Sequence, residues 1–217
     1  MAHCSPKRSP CLFPAHFAGA PKRFIAPRQG GAASLSRTFP DHRVGENGDL
    51  WVFGYGSLMW RPGFVFVERH VGTLHGWRRR LCVYSHVHRG TPDRPGLVLG
   101  LDRGGSCRGV VFRVAAGARA QTIAYLRERE LVTLVYREIM AGVRLDDGRR
   151  VTALVYVCDP RHPQFAGRLE HDALLRFIRQ GHGISGANRD YVRNTYAHLV
   201  ELGIADATLA RLSADLE

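Results

Sequence analysis

The sequence predicts an α+β fold in which helices pack against a small mixed β-sheet or β-barrel. After residue 48, β-prone runs come first and helical periodicity dominates the last part of the chain. One helical stretch interrupts the strands, and strands followed by helices are typical of α+β proteins. The length of 217 residues, of which 45% are hydrophobic, is enough for one domain with a sizeable core.

The strand predictions rest on apolar and β-branched runs bounded by glycine, proline or aspartate. Residues 90–96 are predicted to be a loop because they contain two prolines and two glycines. Turns are predicted at residues 102–105 and at Asp146-Asp147-Gly148, since Asp-Gly between β-prone runs favours a hairpin. In chain order the predicted strands are residues 50–53, 67–87, 97–101, 109–114, 136–145 and 149–157.

Helical periodicity predicts four helices, at residues 118–134, 171–179, 188–202 and 206–216. Between the second and the third lies Gly181-His182-Gly183-Ile184-Ser185-Gly186, which matches the GxGxxG pattern of dinucleotide-binding sites. That motif has to follow a strand and open a βαβ unit, whereas here it follows a helical pattern. We therefore interpret it as a link between two helices and expect no nucleotide cofactor.

Residues 1–48 are predicted to be a disordered basic tail, and residues 49–217 a single catalytic domain. The first segment mixes proline, serine, alanine, glycine and arginine without helical or strand periodicity. It holds seven lysines and arginines against two acidic residues, which is +5 of the formal net charge of +12. Nearly half of the basic excess therefore lies outside the predicted domain.

Composition limits the classes of function. The five cysteines form no CxxC pair, which argues against a zinc site or a disulfide framework and favours a reducing, cytoplasmic location. No stretch approaches the roughly 18 to 20 apolar residues of a membrane span, so we expect no membrane partner. The basic excess suggests nucleic acid, but no RNP-type strand or recognition helix supports it. A basic nucleic-acid-binding module remains the alternative class.

The densest signal is Phe53-Gly54-Tyr55-Gly56-Ser57-Leu58-Met59-Trp60, where a strand runs into a turn. Its glycines allow a sharp bend, and the amides that follow could bind a carboxylate or an oxyanion. A tight turn within the core is an equally good interpretation. Ser57 as a nucleophile does not fit the GxSxG elbow, because the flanking glycines have the wrong spacing.

A second signal is Glu130 on the helix predicted at residues 118–134. At about 100° per residue, Glu130 lies about 20° from the apolar Ile123, while Glu128 lies about 140° away. If the helix extends that far, Glu130 points to the interior, where desolvation raises the pKa of a carboxyl group toward acid–base use. The alternative is a glutamate at the core edge that pairs with an arginine such as Arg127.

These two signals together resemble the ChaC-like family of glutathione-specific γ-glutamylcyclotransferases. Three further segments in family order match: His88-Arg89-Gly90-Thr91-Pro92 with Pro95-Gly96, Leu154-Val155-Tyr156-Val157, and residues 183–188 with Tyr191. The resemblance covers most of residues 50–204. It implies a cyclotransferase-type small β-barrel with packed helices, and an enzyme that converts glutathione to 5-oxoproline and Cys-Gly without metal or cofactor.

The resemblance also implies roles for individual residues. The catalytic acid–base would be Glu130, and Tyr156 would lie near the site. The loop that binds the γ-glutamyl group would be Gly54, Tyr55, Gly56, Ser57, Leu58 and Met59. Because glutathione is an anion, Arg89 could help to position it, and bracing of its own loop is an equal alternative. Other γ-glutamyl amides remain alternative substrates.

Overall fold

The fold is given by a computed structural model that describes residues 48–216. The predicted tail therefore lies outside the described residues except for Gly48, and its boundary stays a prediction. The strands are β1 (Leu50–Gly54), β2 (Glu68–Ser85), β3 (Gly96–Val114), β4 (Tyr136–Leu145), β5 (Arg150–Cys158), β6 (His182–Gly183) and β7 (Gly186–Ala187). The helices are α1 (Arg119–Glu130), α2 (His171–Gln180), α3 (Asn188–Glu201) and α4 (Ala207–Asp215), with 3-10 turns at Ser57–Met59 and Ala116–Ala118.

The first five strands close into a barrel in the order β1-β3-β2-β4-β5. Neighbours pair antiparallel except for β1 and β5, which run parallel and close the ring. All five residues of β1 are buried, which agrees with its apolar sequence. The predicted α+β fold, a small mixed barrel with packed helices and three helices at the C-terminal end, is confirmed. No helix within residues 48–216 is long and apolar enough to cross a membrane.

The turn predicted at residues 102–105 is wrong, because one continuous strand, β3, runs through it. Gly104 and Gly105 have φ angles of +91° and +72°, and Gly76 on the facing strand has +83°. Near these glycines the pairing register of β2 and β3 shifts between His75 and Trp77. The glycines therefore bend both strands at an irregularity in the pairing, and the chain does not reverse.

Two other local predictions have different outcomes. The hairpin at Asp146-Asp147-Gly148 is confirmed, with Gly148 at a φ of +92° between β4 and β5. The helix predicted over residues 118–134 ends earlier, since α1 stops at Glu130 and Leu131 is its C-cap. Glu130 therefore lies at the C-terminal end of α1, where the negative pole of the helix dipole disfavours a carboxylate.

The GxGxxG segment forms the β6–β7 hairpin between α2 and α3. The amides of Ile184 and Ser185 donate to the carbonyls of Val87 and His88, so the hairpin lies against the segment that follows β2. A Cβ on Gly183 would lie 2.3 Å from the carbonyl oxygen of Val87, and only glycine fits there. The segment thus joins two parts of the fold, and it does not open a βαβ unit.

Helix α3 is fixed to β3 by buried polar contacts. The side chain of Asn188 accepts a hydrogen bond from the amide of Leu97 and donates one to the carbonyl of the same residue, each at 2.7 Å. One turn later the hydroxyl of Tyr191 accepts from the amide of Leu99 at 3.2 Å. These contacts give buried backbone groups of β3 a partner and hold α3 beside the barrel.

Candidate active site

A cavity of about 440 Å³ opens where the loop after β1, the end of α1 and helix α3 meet. This volume lies in the range of pockets that bind small organic ligands. Strand β3 forms part of its wall, and the segments around His88 and Ser185 border it as well. The cavity therefore brings together the two sequence segments that carried the strongest signals.

Four of the six predicted loop residues line the cavity: Tyr55, Gly56, Ser57 and Leu58. The 3-10 turn Ser57–Met59 begins there, and the amide of Met59 donates to the carbonyl of Gly56 at 2.9 Å. The first amides of a helical turn have no partner inside the turn. The amides of Ser57 and Leu58 are therefore among the donors with which this loop can bind an anionic group.

Gly54 and Met59 do not line the cavity, so their contact with the γ-glutamyl group stays a prediction. Gly54 is part of β1, and a Cβ there would lie 3.0 Å from the Cβ of Leu58. Met59 is only 1% exposed and packs in the core. Gly54 and Met59 stand at the two ends of the loop and lie on the side of it that faces away from the cavity.

Glu130 lines the cavity, and its side chain is 19% exposed. Burial raises the pKa of its carboxyl group above the ordinary value, although the positive charge of Arg129 acts in the opposite direction. Glu128 is exposed, so the two glutamates have the orientations that the helical periodicity predicts. The arginine beside Glu130 is Arg129, at 3.1 Å, and not Arg127 as the alternative interpretation proposed.

Arg129 connects α1 to the loop that follows β1. Its guanidinium donates to the hydroxyl of Ser57 at 2.8 Å and to the carbonyl of Arg61 at 2.7 Å, and it also reaches the hydroxyl of Tyr125 at 3.0 Å. The same group pairs with Glu130. The hydrogen bond found at Ser57 thus comes from a permanent cation, which cannot act as the base that a nucleophilic serine requires.

Four tyrosines share the cavity with Glu130. Burial is the main cause that raises their pKa values, and the charge of Glu130 raises each of them further. They are Tyr55, Tyr136, Tyr156 and Tyr191, and all four line the cavity. At neutral pH these phenols are uncharged, so Glu130 shares this part of the site with neutral hydroxyl groups and with Arg129.

Tyr156 is held in place by a second carboxylate, which the sequence did not single out. Its hydroxyl donates to Glu138 at 3.0 Å, and the side chain of Glu138 is 2% exposed. Arg127 donates to both oxygens of Glu138, at 3.0 Å from Nε and 2.8 Å from Nη2. Glu138 is therefore engaged by a two-pronged ion pair and a phenol, whereas Glu130 faces the cavity.

Arg89 lines the cavity and braces a loop at the same time. Its guanidinium donates to the carbonyl of Ser185 at 2.5 Å and to that of Ala187 at 3.4 Å. It also lies over the ring of Tyr191, 5.2 Å from the centroid. Burial lowers its pKa from the usual value. These contacts are the ones expected if Arg89 holds its own loop in place. A contact between Arg89 and the substrate stays a prediction.

Sequence reasoning missed several residues of the cavity wall. Trp60 and His198 line it and stack with ring centroids 4.5 Å apart. They come from distant parts of the chain, so no spacing connects them. Arg129 had a usable signal, because it precedes Glu130 in the same motif. Within residues 48–216, no group of three His, Cys, Asp or Glu side chains is arranged to hold a metal ion.

Comparison with known proteins gives consistent matches over the described region. Residues 50–217 match the family model described as ChaC-like protein. The chain is 38% identical over 178 residues to an Escherichia coli K12 protein named glutathione-specific γ-glutamylcyclotransferase, covering 81% of this chain and 75% of that protein. It is 34% identical over 161 residues to human glutathione-specific γ-glutamylcyclotransferase 1, covering 72% of each.

The fold has a counterpart among solved structures. A crystal structure of a yeast γ-glutamyl cyclotransferase specific to glutathione superimposes with a TM-score of 0.71. The match covers 78% of this chain and 96% of the yeast chain, at 23% identity. The barrel with its packed helices is therefore a known architecture.

The two buried carboxylates should respond differently to neutralisation. Glu138→Gln should lower the free energy of unfolding by about 3 kcal/mol, because it breaks a buried ion pair. Burial raises the pKa of Glu130 in the folded state, so its favourable contribution is present at low pH and is lost as the pH rises through that value. Glu130→Gln should therefore cost no stability at pH 7. Urea unfolding at pH 7 measures the free energy of unfolding of both variants. An equal decrease in the two variants would contradict the different roles of Glu138 and Glu130.

Proposed function

The chain belongs to the ChaC-like protein family, and we propose that it is a γ-glutamylcyclotransferase that acts on glutathione. The curated relatives from Escherichia coli and human carry that activity and that substrate in their names. The observation that carries the proposal is the carboxyl group of Glu130, which has a raised pKa and lines a cavity beside Ser57 and Leu58.

The proposed reaction needs no nucleophile from the protein. The α-amine of the γ-glutamyl group attacks its own γ-carbonyl carbon, the amide C–N bond to cysteine breaks, and 5-oxoproline and Cys-Gly are released. The main task of the site is to fold the substrate so that amine and carbonyl meet, and such orientation contributes up to roughly 7–11 kcal/mol. The cavity of about 440 Å³ has the dimensions for this task.

Both proton transfers are assigned to Glu130. As a carboxylate it accepts a proton from the attacking amine, and as an acid it delivers that proton to the leaving nitrogen. A group that changes its protonation state twice in one cycle works best when its pKa lies near the working pH. Burial moves the pKa of Glu130 in that direction, while Arg129 keeps the ionised form accessible.

The loop after β1 is proposed to bind the γ-glutamyl group through backbone amides. The amides of Gly56, Ser57 and Leu58 would hold the substrate carboxylate or the oxyanion that forms at the γ-carbonyl. Each such donor contributes on the order of 3 kcal/mol to the transition state. The side chain of Ser57 is engaged by Arg129, which fixes the loop and leaves the backbone to face the ligand.

Tyr156 is proposed to form the wall beside the reacting group, with its hydroxyl fixed by Glu138. Arg89 is proposed to contribute positive charge near the substrate, although its hydrogen bonds hold the segment at Ser185. A cytoplasmic location fits the unpaired thiols of Cys82, Cys107 and Cys158. That no nucleic acid and no membrane takes part stays a prediction from composition.

The assignment of Glu130 predicts a large and specific loss of activity. Glu130→Gln should stay folded and release 5-oxoproline from glutathione about 10²- to 10⁴-fold more slowly, because a proton carrier contributes that much. The matched control is Glu128→Gln, which neutralises an exposed glutamate of the same helix and should keep wild-type rates. Wild-type rates in Glu130→Gln would refute the assignment. Ser57→Ala should keep measurable turnover, whereas total loss with glutathione binding intact would favour a serine nucleophile.

The pH dependence of turnover should report the pKa of Glu130. Since the carboxylate is the active base and burial raises its pKa, kcat/KM should rise with pH along a limb centred above the ordinary glutamate value of about 4.3. Arg129 lowers that pKa, so Arg129→Gln should move the limb to higher pH, and Arg129→Lys should move it less. A limb that stays in place in both variants would contradict the role of Glu130.

A substrate panel scored for 5-oxoproline tests the proposed substrate against the other γ-glutamyl amides. Glutathione should be turned over, with Cys-Gly as the second product, and γ-glutamyl amino acids should react more slowly. Addition of EDTA should leave the rate unchanged, because the nucleophile belongs to the substrate. If γ-glutamyl amino acids are turned over faster than glutathione, the proposed substrate is wrong, although the proposed cyclisation reaction stands. If no compound yields 5-oxoproline, the proposed function is refuted.

A further inference from the structure

Arg61 is a cation at the cavity whose side chain makes no hydrogen bond or ion pair within residues 48–216. Its side chain is exposed, and it lines the same cavity as Glu130 and Arg89. Most other arginines near this site have carboxylate or carbonyl partners. An arginine with unused donors at a cavity is suited to bind an anionic group of a ligand.

The backbone of Arg61 is fixed, although its side chain has no partner within residues 48–216. Its amide donates to the carbonyl of Ser57 at 2.8 Å, and its carbonyl accepts from the guanidinium of Arg129 at 2.7 Å. The side chain of Arg61 therefore starts from a position that is set by the same contacts that hold the catalytic loop. A ligand that Arg61 binds would be positioned relative to Glu130.

A second positive charge lies near that of Arg61. The charge of Arg61 lowers the pKa of Arg89, so the two guanidinium groups are close enough to repel each other. Asp190 is the acidic residue that acts on Arg89, and it is itself paired at the surface with Arg189 at 3.8 Å. Nη1 of Arg89 donates to two main-chain carbonyls, whereas no nitrogen of the Arg61 side chain has a partner within residues 48–216. An anion beside the two guanidinium groups would relieve their repulsion.

The two charges reach the cavity from different elements, since Arg61 follows the 3-10 turn Ser57–Met59 and Glu130 lies at the end of α1. Two residues separate the scissile amide of glutathione from its glycyl carboxylate. At about 3.5 Å per residue, that carboxylate lies roughly 7 Å from the reacting carbonyl.

We infer that the guanidinium of Arg61 binds the glycyl carboxylate of glutathione and thereby selects γ-glutamyl substrates of tripeptide length. The inference rests on the proposed function. In a γ-glutamyl amino acid the terminal carboxylate is one residue, or about 3.5 Å, nearer the scissile bond, and it falls short of a guanidinium at the tripeptide distance. Arg61 is thus a specificity-determining residue that takes no part in proton transfer.

The test compares two substrates and four proteins: wild type, Arg61→Gln, Arg61→Lys and Arg193→Gln. The substrates are glutathione and its ethyl ester at the glycyl carboxylate, which removes the charge that Arg61 would bind. Arg193 is exposed on α3 and does not line the cavity, so Arg193→Gln controls for the loss of one positive charge. Steady-state release of 5-oxoproline gives KM and kcat for each pair.

For glutathione, Arg61→Gln should raise KM about tenfold with kcat within about twofold, because a charge-assisted contact to a distant part of the substrate is lost. The KM of Arg61→Lys should lie between those of wild type and Arg61→Gln, and the KM of Arg193→Gln should equal that of wild type. For the ester, wild type and Arg61→Gln should have the same raised KM. An unchanged KM in Arg61→Gln, or an equal loss on both substrates, overturns the inference. No 5-oxoproline from wild type with either substrate refutes the proposed function itself.

Discussion

The guanidinium of Arg129 is the interaction on which the site depends, because it joins the end of α1 to the loop after β1. The two segments lie far apart in sequence, and a single planar cation contacts the hydroxyl of Ser57, the carbonyl of Arg61 and the carboxyl group of Glu130. Its several donors in a fixed plane allow it to hold all three at once, which a lysine could not do. Leu58 of the loop and Leu126 of α1 also belong to one hydrophobic cluster, so the guanidinium adds polar contacts to an apolar one.

The site contains two carboxylates whose surroundings give them opposite tasks. Both carboxylate oxygens of Glu138 accept hydrogen bonds from Arg127, and one of them also accepts from the hydroxyl of Tyr156. Glu130 has one cationic neighbour, four phenols and an open cavity. A carboxylate with all its partners satisfied stabilises the fold, and one that is buried with few partners has a raised pKa and can exchange protons. The environment of each residue decides its chemistry, since the residue type is the same.

The basic residues of the chain differ in where they lie and in whether they have partners. Part of the basic excess lies before residue 48, and within residues 48–216 many individual arginines form ion pairs, such as those of Arg113 with Asp49 and Glu68. Three arginines of residues 48–216 line the cavity, and Arg61 is the one whose side chain has no hydrogen bond or ion pair among those residues. The total charge therefore says little about a partner, while the position of one unpaired arginine carries information about the ligand.

The sequence by itself determined the fold class, the Asp-Gly hairpin, the helices at the C-terminal end and the inward direction of Glu130, because these follow from local periodicity and turn chemistry. It did not reveal that Gly104 and Gly105 bend one strand without reversing it, since glycine permits both outcomes and pairing with β2 selects one. The partner of Glu130, the role of Glu138 and the stack of Trp60 on His198 were decided by tertiary structure alone. Each is a contact between distant segments, and only closure of the barrel brings such segments together.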